Sequence, residues 1–375
     1  MMNAISLPPA AVAGQALEQI DTPALLLDID AFDRNLDRMQ DSVRRAGVQF
    51  RPHAKAHKCP QIALEQMARG ATGICCQKVT EAVPFIRAGV RDIHITNEIG
   101  SPRKACLLAE LTRHAQISVC VDDAMQVQWL DEALTATGGQ LRVLVEVDIG
   151  QGRCGVQDAD AALRLADAIA GRSRLRFGGL QAYHGGVQHL RGHGQRRDAV
   201  LRAGERTGAF VHAMERAGIV CPVITGGGTG SVEFDLESGV YTEVQPGSYV
   251  FMDGDYGRNE WPGALCFEQS LFVASAVMSR TGSGRVILDA GLKSLAVDSG
   301  LPRVHDGHGL EYIAANDEHG IVTVRGDRQQ PGLAEMILLV PGHCDPTLNL
   351  HDELIGFRNR VVESVWPIAA RGLSR

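Results

Sequence analysis

Between Gln49 and Val250 short apolar runs alternate with amphipathic stretches. The runs at residues 49–53, 73–76, 92–96, 117–121, 142–148, 177–183, 223–225 and 243–249 are bounded by turn-forming residues and predict eight strands. The stretches between them predict helices; one opens with Ser101 and Pro102, a helix cap followed by proline at its preferred first position. Strand, helix and strand in repeated order require a parallel sheet, and eight such units are the number that closes a TIM-type (β/α)8 barrel. Ahead of the barrel, residues 24–30 predict a strand, and Phe32, Leu36, Met39 and Val43 mark one face of a helix that ends at Gly47. After Trp261 the pattern changes to strands with turns and little helix, at 271–278, 285–289, 321–324, 336–340 and 361–366. The expected organisation is therefore a leading strand and helix over 1–47, the α/β barrel over 48–264, and a C-terminal mostly-β domain over 265–375.

Composition narrows the function classes. The 375 residues carry 37 Lys and Arg against 44 Asp and Glu, a net charge of −7, which argues against a nucleic-acid partner. With 45% hydrophobic and 22% charged residues, disorder is excluded as the main state. No apolar run approaches the roughly 20 residues needed to span a bilayer, and the start of the chain lacks the basic and apolar blocks of an export signal, so a cytoplasmic protein without membrane contact is expected. Nine cysteines form no Cys-x-x-Cys pair, which suits reduced thiols packed as small core residues, with Cys344 the exception.

A barrel places its chemistry just past the C-terminal ends of its strands. Lys55 lies there, with Arg51, His53 and His57 around it; Gln77 and Lys78 follow residues 73–76, Arg153 follows 142–148, and Tyr183 opens the segment that runs to His189. A lysine among carbon neighbours has a depressed pKa and an amine free to form a Schiff base, which makes Lys55 the candidate nucleophile and a snorkelling surface lysine the alternative. A metal between His53 and His57 is disfavoured by their spacing along a strand. The glycines 226–228 and 230, with Thr229, let the backbone approach an anion and form a phosphate cup, unless they are simply a tight turn. Neither a Walker loop nor a dinucleotide fingerprint is present. The turn 246–249 could close the cup from the other side.

His343 and Asp345, two residues apart after the apolar run 336–340, would point the same way from an extended segment and could share a divalent ion. A His–Cys pair with Cys344 would suit zinc, and a β-turn with polar corners needs no metal at all. Asp253-Gly254-Asp255 reads first as a turn, and Arg191, His193, Arg196 and Arg197 as a solvated basic loop.

The segments 51–58 (RPHAKAHK), 150–156 (GQGRCGV), 182–185 (AYHG), 225–230 (TGGGTG) and 341–347 (PGHCDPT) resemble those of the D-threonine aldolases. These are pyridoxal-phosphate enzymes of the alanine-racemase-like fold, fold type III, with relatives that dehydrate D-serine or D-3-hydroxyaspartate. The resemblance runs from about Asp21 to Arg375. It implies that Lys55 holds pyridoxal 5'-phosphate, and that Gln77, Arg153, Tyr183, Thr225, Gly227, Gly228, Gly247, Ser248 and Tyr249 line the cofactor ring and phosphate. It also implies that His343 and Asp345 hold a divalent metal, that His189 takes a proton from the substrate hydroxyl, and that the protein is a homodimer. The reaction so implied is retro-aldol cleavage of a D-3-hydroxy amino acid, D-threonine giving glycine and acetaldehyde, with the metal on the substrate hydroxyl. A hard carboxylate suits Mn or Mg, a thiolate Zn. Alternatives are a dehydratase of D-serine or D-3-hydroxyaspartate, an aldolase specific for D-3-hydroxyaspartate, a racemase, and a non-catalytic carrier of the cofactor.

Overall fold

The computed structural model describes residues 8–263, 265–282 and 284–375. The first seven residues of the expected leading segment, Ala264 at the expected domain boundary and Ser283 lie outside them. The chain divides into two compact units.

One unit comprises Leu36–Tyr249, Arg258–Phe267 and Ala369–Arg375. Numbering from the strand β1 (Ala24–Asp28) and helix α1 (Ile29–Ala46), its strands are β2 (Gln49–Phe50), β3 (Ile74–Cys76), β4 (Asp92–Ile95), β5 (Gln116–Val121), β6 (Leu141–Glu146), β7 (Leu175–Ala182), β8 (Val223–Gly226) and β9 (Glu243–Val244). Between consecutive strands run α2 (Pro60–Ala68), α3 (Ala82–Arg87), α4 (Pro102–Leu111), α5 (Ala124–Thr137), α6 (Ala159–Ala170), α7 (His193–Arg216) and α8 (Val232–Ser238). The strands pair in the order β2-β9-β8-β7-β6-β5-β4-β3, every pair parallel. A parallel bridge between His53 and Cys75 joins the two ends of this sheet and closes the (β/α)8 barrel. Ser101 caps α4 as expected, its hydroxyl accepting the Lys104 N–H.

The barrel interior is polar in its middle. Arg51 donates to Glu243 at 2.9 Å and to Asp92 at 2.8 Å. His94 contacts Ser118 at 2.9 Å and Gln181 at 2.8 Å, and Gln181 donates to Glu146 at 2.6 Å. Burial, and next the charge of Arg51, push the His94 imidazole down to about 3, so it stays neutral.

The strand expected at 243–249 is shorter: β9 ends at Val244, and Ser248–Val250 form a 3-10 turn. Pro246 supplies no N–H to a ladder and stops the strand. Arg196 corrects the reading of a solvated basic loop. It is fully buried, donates to the carbonyls of Leu190, Arg191 and Glu260, and lies over the Trp261 ring.

The other unit comprises residues up to Asn35, Val250–Gly257 and Glu268–Ile368. It holds β10 (Leu271–Ser279), β11 (Arg285–Leu288), β12 (Arg303–Val304), β13 (Leu310–Ala315), β14 (Gly320–Val324), β15 (Met336–Val340), β16 (Glu353–Arg358), β17 (Val361–Pro367) and the short helix α9 (Cys344–Leu348). The strand β1, expected ahead of the barrel, lies in the middle of this sheet, antiparallel to β10 and parallel to β16. Its continuous run Ala24–Leu27 is buried on both faces, the pattern of a central strand, and packs with Phe272, Val340 and Ile355. The strands β12, β13 and β16 were not anticipated.

Candidate active site

Lys55 sits in a single 3-10 turn, Ala54–Ala56, just past β2. His53 holds this turn: its Nδ1 accepts the Lys55 backbone N–H at 3.3 Å, so the ring proton resides on Nε2. That Nε2 lies 2.8 Å from the Thr96 hydroxyl and 3.1 Å from Gln77 Oε1. Gln77 in turn donates to the Thr96 carbonyl at 3.3 Å. Glu81 fixes the Gln77 loop by accepting the N–H groups of Gln77 and Lys78, and it pairs with the buried Lys58 at 3.2 Å. His53 thus positions the lysine turn, with one ring nitrogen on the Lys55 N–H and the other against Thr96 and Gln77.

The turn 246–249 packs directly on the lysine turn. A methyl group at Gly247 would lie 2.6 Å from the His53 carbonyl oxygen, and His53 N–H donates to the Pro246 carbonyl. Only glycine allows that approach. The Gln245 N–H donates to the Gly226 carbonyl at 2.8 Å, which ties the same turn to the glycine-rich loop. Three segments distant in sequence therefore meet at one end of the barrel.

The glycine loop is a built cradle. Gly227 has φ +75°, and a methyl there would lie 2.4 Å from Asp235 Oδ2. A methyl at Gly228 would lie 2.6 Å from Gln188 Oε1, and one at Gly230 2.2 Å from the Gln188 carbonyl oxygen. The loop is held from below: Gly228 N–H and Gln188 Nε2 both donate to Ser231 Oγ, which donates onward to Asp235 at 2.6 Å. Burial pushes the Asp235 carboxyl up to about 6, against the Ser231 hydrogen bond that lowers it. At the top, Thr229 is buried and its Oγ1 makes no hydrogen bond. A buried hydroxyl without a partner costs about 1–3 kcal/mol unless a ligand satisfies it. An anion such as the cofactor phosphate fits that need.

Thr225 faces the barrel interior, donating to Glu243 at 2.9 Å and accepting from Gln245 at 2.8 Å. Tyr249 is fully buried against Phe50 and Phe267, and its hydroxyl accepts from Gln66 at 3.0 Å. Arg153 lies over the Tyr183 ring, 5.3 Å from its centroid, and 3.8 Å from Glu146. His189 is exposed and ends the 3-10 turn Gly185–His189. Cysteine expectations divide: Cys59, Cys75, Cys76 and Cys120 are buried, Cys106 and Cys266 are exposed, and Cys344 is fully buried.

A carboxyl cluster went unnoticed in the sequence. Donor atoms of Glu98, Asp122 and Cys154 lie within 4.8 Å of one another, and so do those of Glu98, Cys120 and Glu146. Burial, and next the charge of Glu98, push the Glu146 carboxyl up to about 8. The signal was present: Glu146 ends β6, Asp122 directly follows β5, and Glu98 lies in the loop after β4.

In the other unit, His343 and Asp345 do not share an extended segment. His343 is the extended N-cap residue of α9, and Asp345 lies in the first turn of that helix. His343 Nδ1 lies 2.7 Å from Asp298 Oδ2. A carboxylate on one ring nitrogen is the usual support of a metal-binding imidazole, which then offers the other nitrogen. One imidazole and one carboxylate form a donor set that fits a divalent ion with open positions for water and substrate.

No helix among the described residues is long and apolar enough to cross a membrane. Residues 27–255 match the model of the alanine racemase N-terminal domain, and 270–357 that of the putative serine dehydratase domain. The chain is 53% identical to a D-threonine aldolase of Arthrobacter sp. over 100% of this chain and 99% of that one. It is 40% identical to a 3-hydroxy-D-aspartate aldolase of Paracoccus denitrificans over 96% of this chain and 95% of that one. A crystal structure of D-threonine aldolase from Filomicrobium marinum superposes with a TM-score of 0.96 at 47% identity, covering 98% of this chain and 100% of the other. By its folds, its lysine and glycine segments and these similarities, the chain belongs to the D-threonine aldolase family of alanine-racemase-like enzymes.

Proposed function

We propose that the protein cleaves D-3-hydroxy amino acids, D-threonine among them, into glycine and an aldehyde with pyridoxal 5'-phosphate and a divalent metal. The observation that carries this reading is the meeting of the Lys55 turn, the Gly247 turn and a glycine cradle with an unsatisfied buried hydroxyl at one barrel end. The relatedness to D-threonine aldolase over the whole chain supports the substrate class.

When bound, the cofactor supplies a conjugated electron sink, and the metal a Lewis acid. Lys55 offers the amine that holds the cofactor, and His53 keeps that amine's turn in place. Gly227, Gly228 and Thr229 bind the phosphate, with Gly247 and Ser248 on the other side, while Thr225 and Tyr249 anchor those segments from within. Gln77, Tyr183 and Arg153 line the ring. His343 and Asp345 hold the metal, for which the carboxylate favours Mn or Mg over Zn. His189 takes the proton from the substrate hydroxyl as general base. The proposal extends to a homodimer in the cytoplasm, testable by light scattering and cell fractionation.

Purified protein loaded with cofactor and Mn2+ is incubated with D-threonine, with and without EDTA. Glycine and acetaldehyde are the expected products, lost on chelation. Oxobutyrate and ammonia as main products would replace the aldolase with a dehydratase, and unchanged activity in EDTA would remove the metal.

A further inference from the structure

The segment that carries His343 and Asp345 is held by a carboxylate that the sequence presents only as part of a turn. Asp253 is fully buried. Its Oδ1 accepts the N–H groups of Asp255 at 3.1 Å and Tyr256 at 2.9 Å, and its Oδ2 accepts the N–H of Cys344 at 2.8 Å. Cys344 is the residue between the two expected metal ligands and the first residue of α9, so its N–H has no partner within the helix. The His343 side chain does not cap α9, which leaves its imidazole to Asp298.

The same loop grips the segment at two further points. Gly254 N–H donates to the Pro341 carbonyl at 2.8 Å, and Asp255 N–H to the Gly342 carbonyl at 3.1 Å. Thr347 closes the far side by donating its hydroxyl to the His343 carbonyl at 2.7 Å. The backbone on both sides of residue 344 is thus fixed, and with it the points from which the His343 and Asp345 side chains extend.

We propose that Asp253 is a positioning residue for the metal site: through the Cys344 N–H it sets the spacing of His343 and Asp345. The inference rests on the reading of those two residues as metal ligands. Partners that orient metal ligands typically change affinity by about 10- to 100-fold when removed, and that is the loss expected here.

The test measures Mn2+ affinity of the cofactor-loaded protein by calorimetry and by the EPR signal of bound Mn2+. His343→Ala serves as the reference for loss of a ligand. Asp253→Asn places an amide against the Cys344 N–H. Cys344→Pro deletes that N–H at the helix position where proline is best tolerated, together with the Cys344 Sγ contact to Asp345 Oδ1 at 3.3 Å, and serves as the second variant if the buried Asp253 one does not fold. The expected result is abolished binding in His343→Ala, with about 10- to 100-fold weaker binding and an altered EPR line shape in the other two, cofactor absorbance being retained. Folded Asp253→Asn and Cys344→Pro proteins with unchanged Mn2+ affinity would overturn the positioning role. Full Mn2+ affinity in His343→Ala would overturn the ligand reading itself.

Discussion

Replacing Asp235 by Asn isolates one charge beneath the glycine cradle. The carboxylate is buried, receives the Ser231 hydroxyl at 2.6 Å and stands under Gly227. Its folded-state pKa of about 6 lies above its ordinary 3.8, because burial penalises the ionised form. A raised acid pKa means that the folded protein binds the proton more tightly than the unfolded chain. The contribution is therefore present at low pH and is lost as pH rises through the interval from 3.8 to about 6. Integrating the linkage between about pH 4.5 and about pH 8 gives a loss of about 2 kcal/mol in the native protein. Asp235→Asn carries no charge and escapes that loss.

Urea unfolding followed by tryptophan fluorescence, across this pH range, measures the difference between the two proteins. The amide's altered hydrogen bonding adds a constant offset, so the informative quantity is the slope. The variant should gain about 2 kcal/mol relative to the native protein from the acid to the alkaline end. A difference that stays flat with pH would show that Asp235 does not titrate in this interval, and the account of the cradle's support would fall.

Three further outcomes follow from the barrel. Lys55→Ala should abolish the visible band of the bound cofactor; a persisting band would assign the cofactor to another lysine. Gly230→Ala puts a methyl 2.2 Å from a backbone oxygen, so the loop must shift at a cost of about 1–3 kcal/mol, read as weaker cofactor binding in apoenzyme titrations. Native affinity would show that the cradle tolerates the shift. Arg51→Met leaves Glu243, 2% exposed, without its cation and should cost about 3–5 kcal/mol in thermal unfolding. A native midpoint would mean that Glu243 protonates or finds another partner.

The periodicity of short apolar runs revealed the barrel, since each run needed only its own length and flanking turns to be recognised. Partners were harder to read. The run Ala24–Leu27 has the same local pattern as a barrel strand, and nothing local tells it to pair with β10 and β16 in the other unit. The two-residue β12 lies outside any apolar run that would mark it. Leu310–Ala315 was missed although its residues alternate between buried and exposed through Ile313. Arg196 misled because charge reads as solvation until the three carbonyls and the indole that receive it are known.

The site divides in the same way. Lys55 and the glycine loop stood out because each pattern carries a specific chemistry, a Schiff-base amine and an anion cup. Glu98, Asp122 and Glu146 also stand at or just past strand ends, yet single carboxylates there read as turn or cap residues. Their difference lies in convergence from three strands: burial, and next the charge of Glu98, raise the Glu146 carboxyl. Asp253 is the same case in the other unit: Asp-Gly predicts a turn correctly, while its work on Cys344 depends on a contact 91 residues away. Position along a barrel strand therefore selects candidates, and only the neighbours brought in by folding assign them roles.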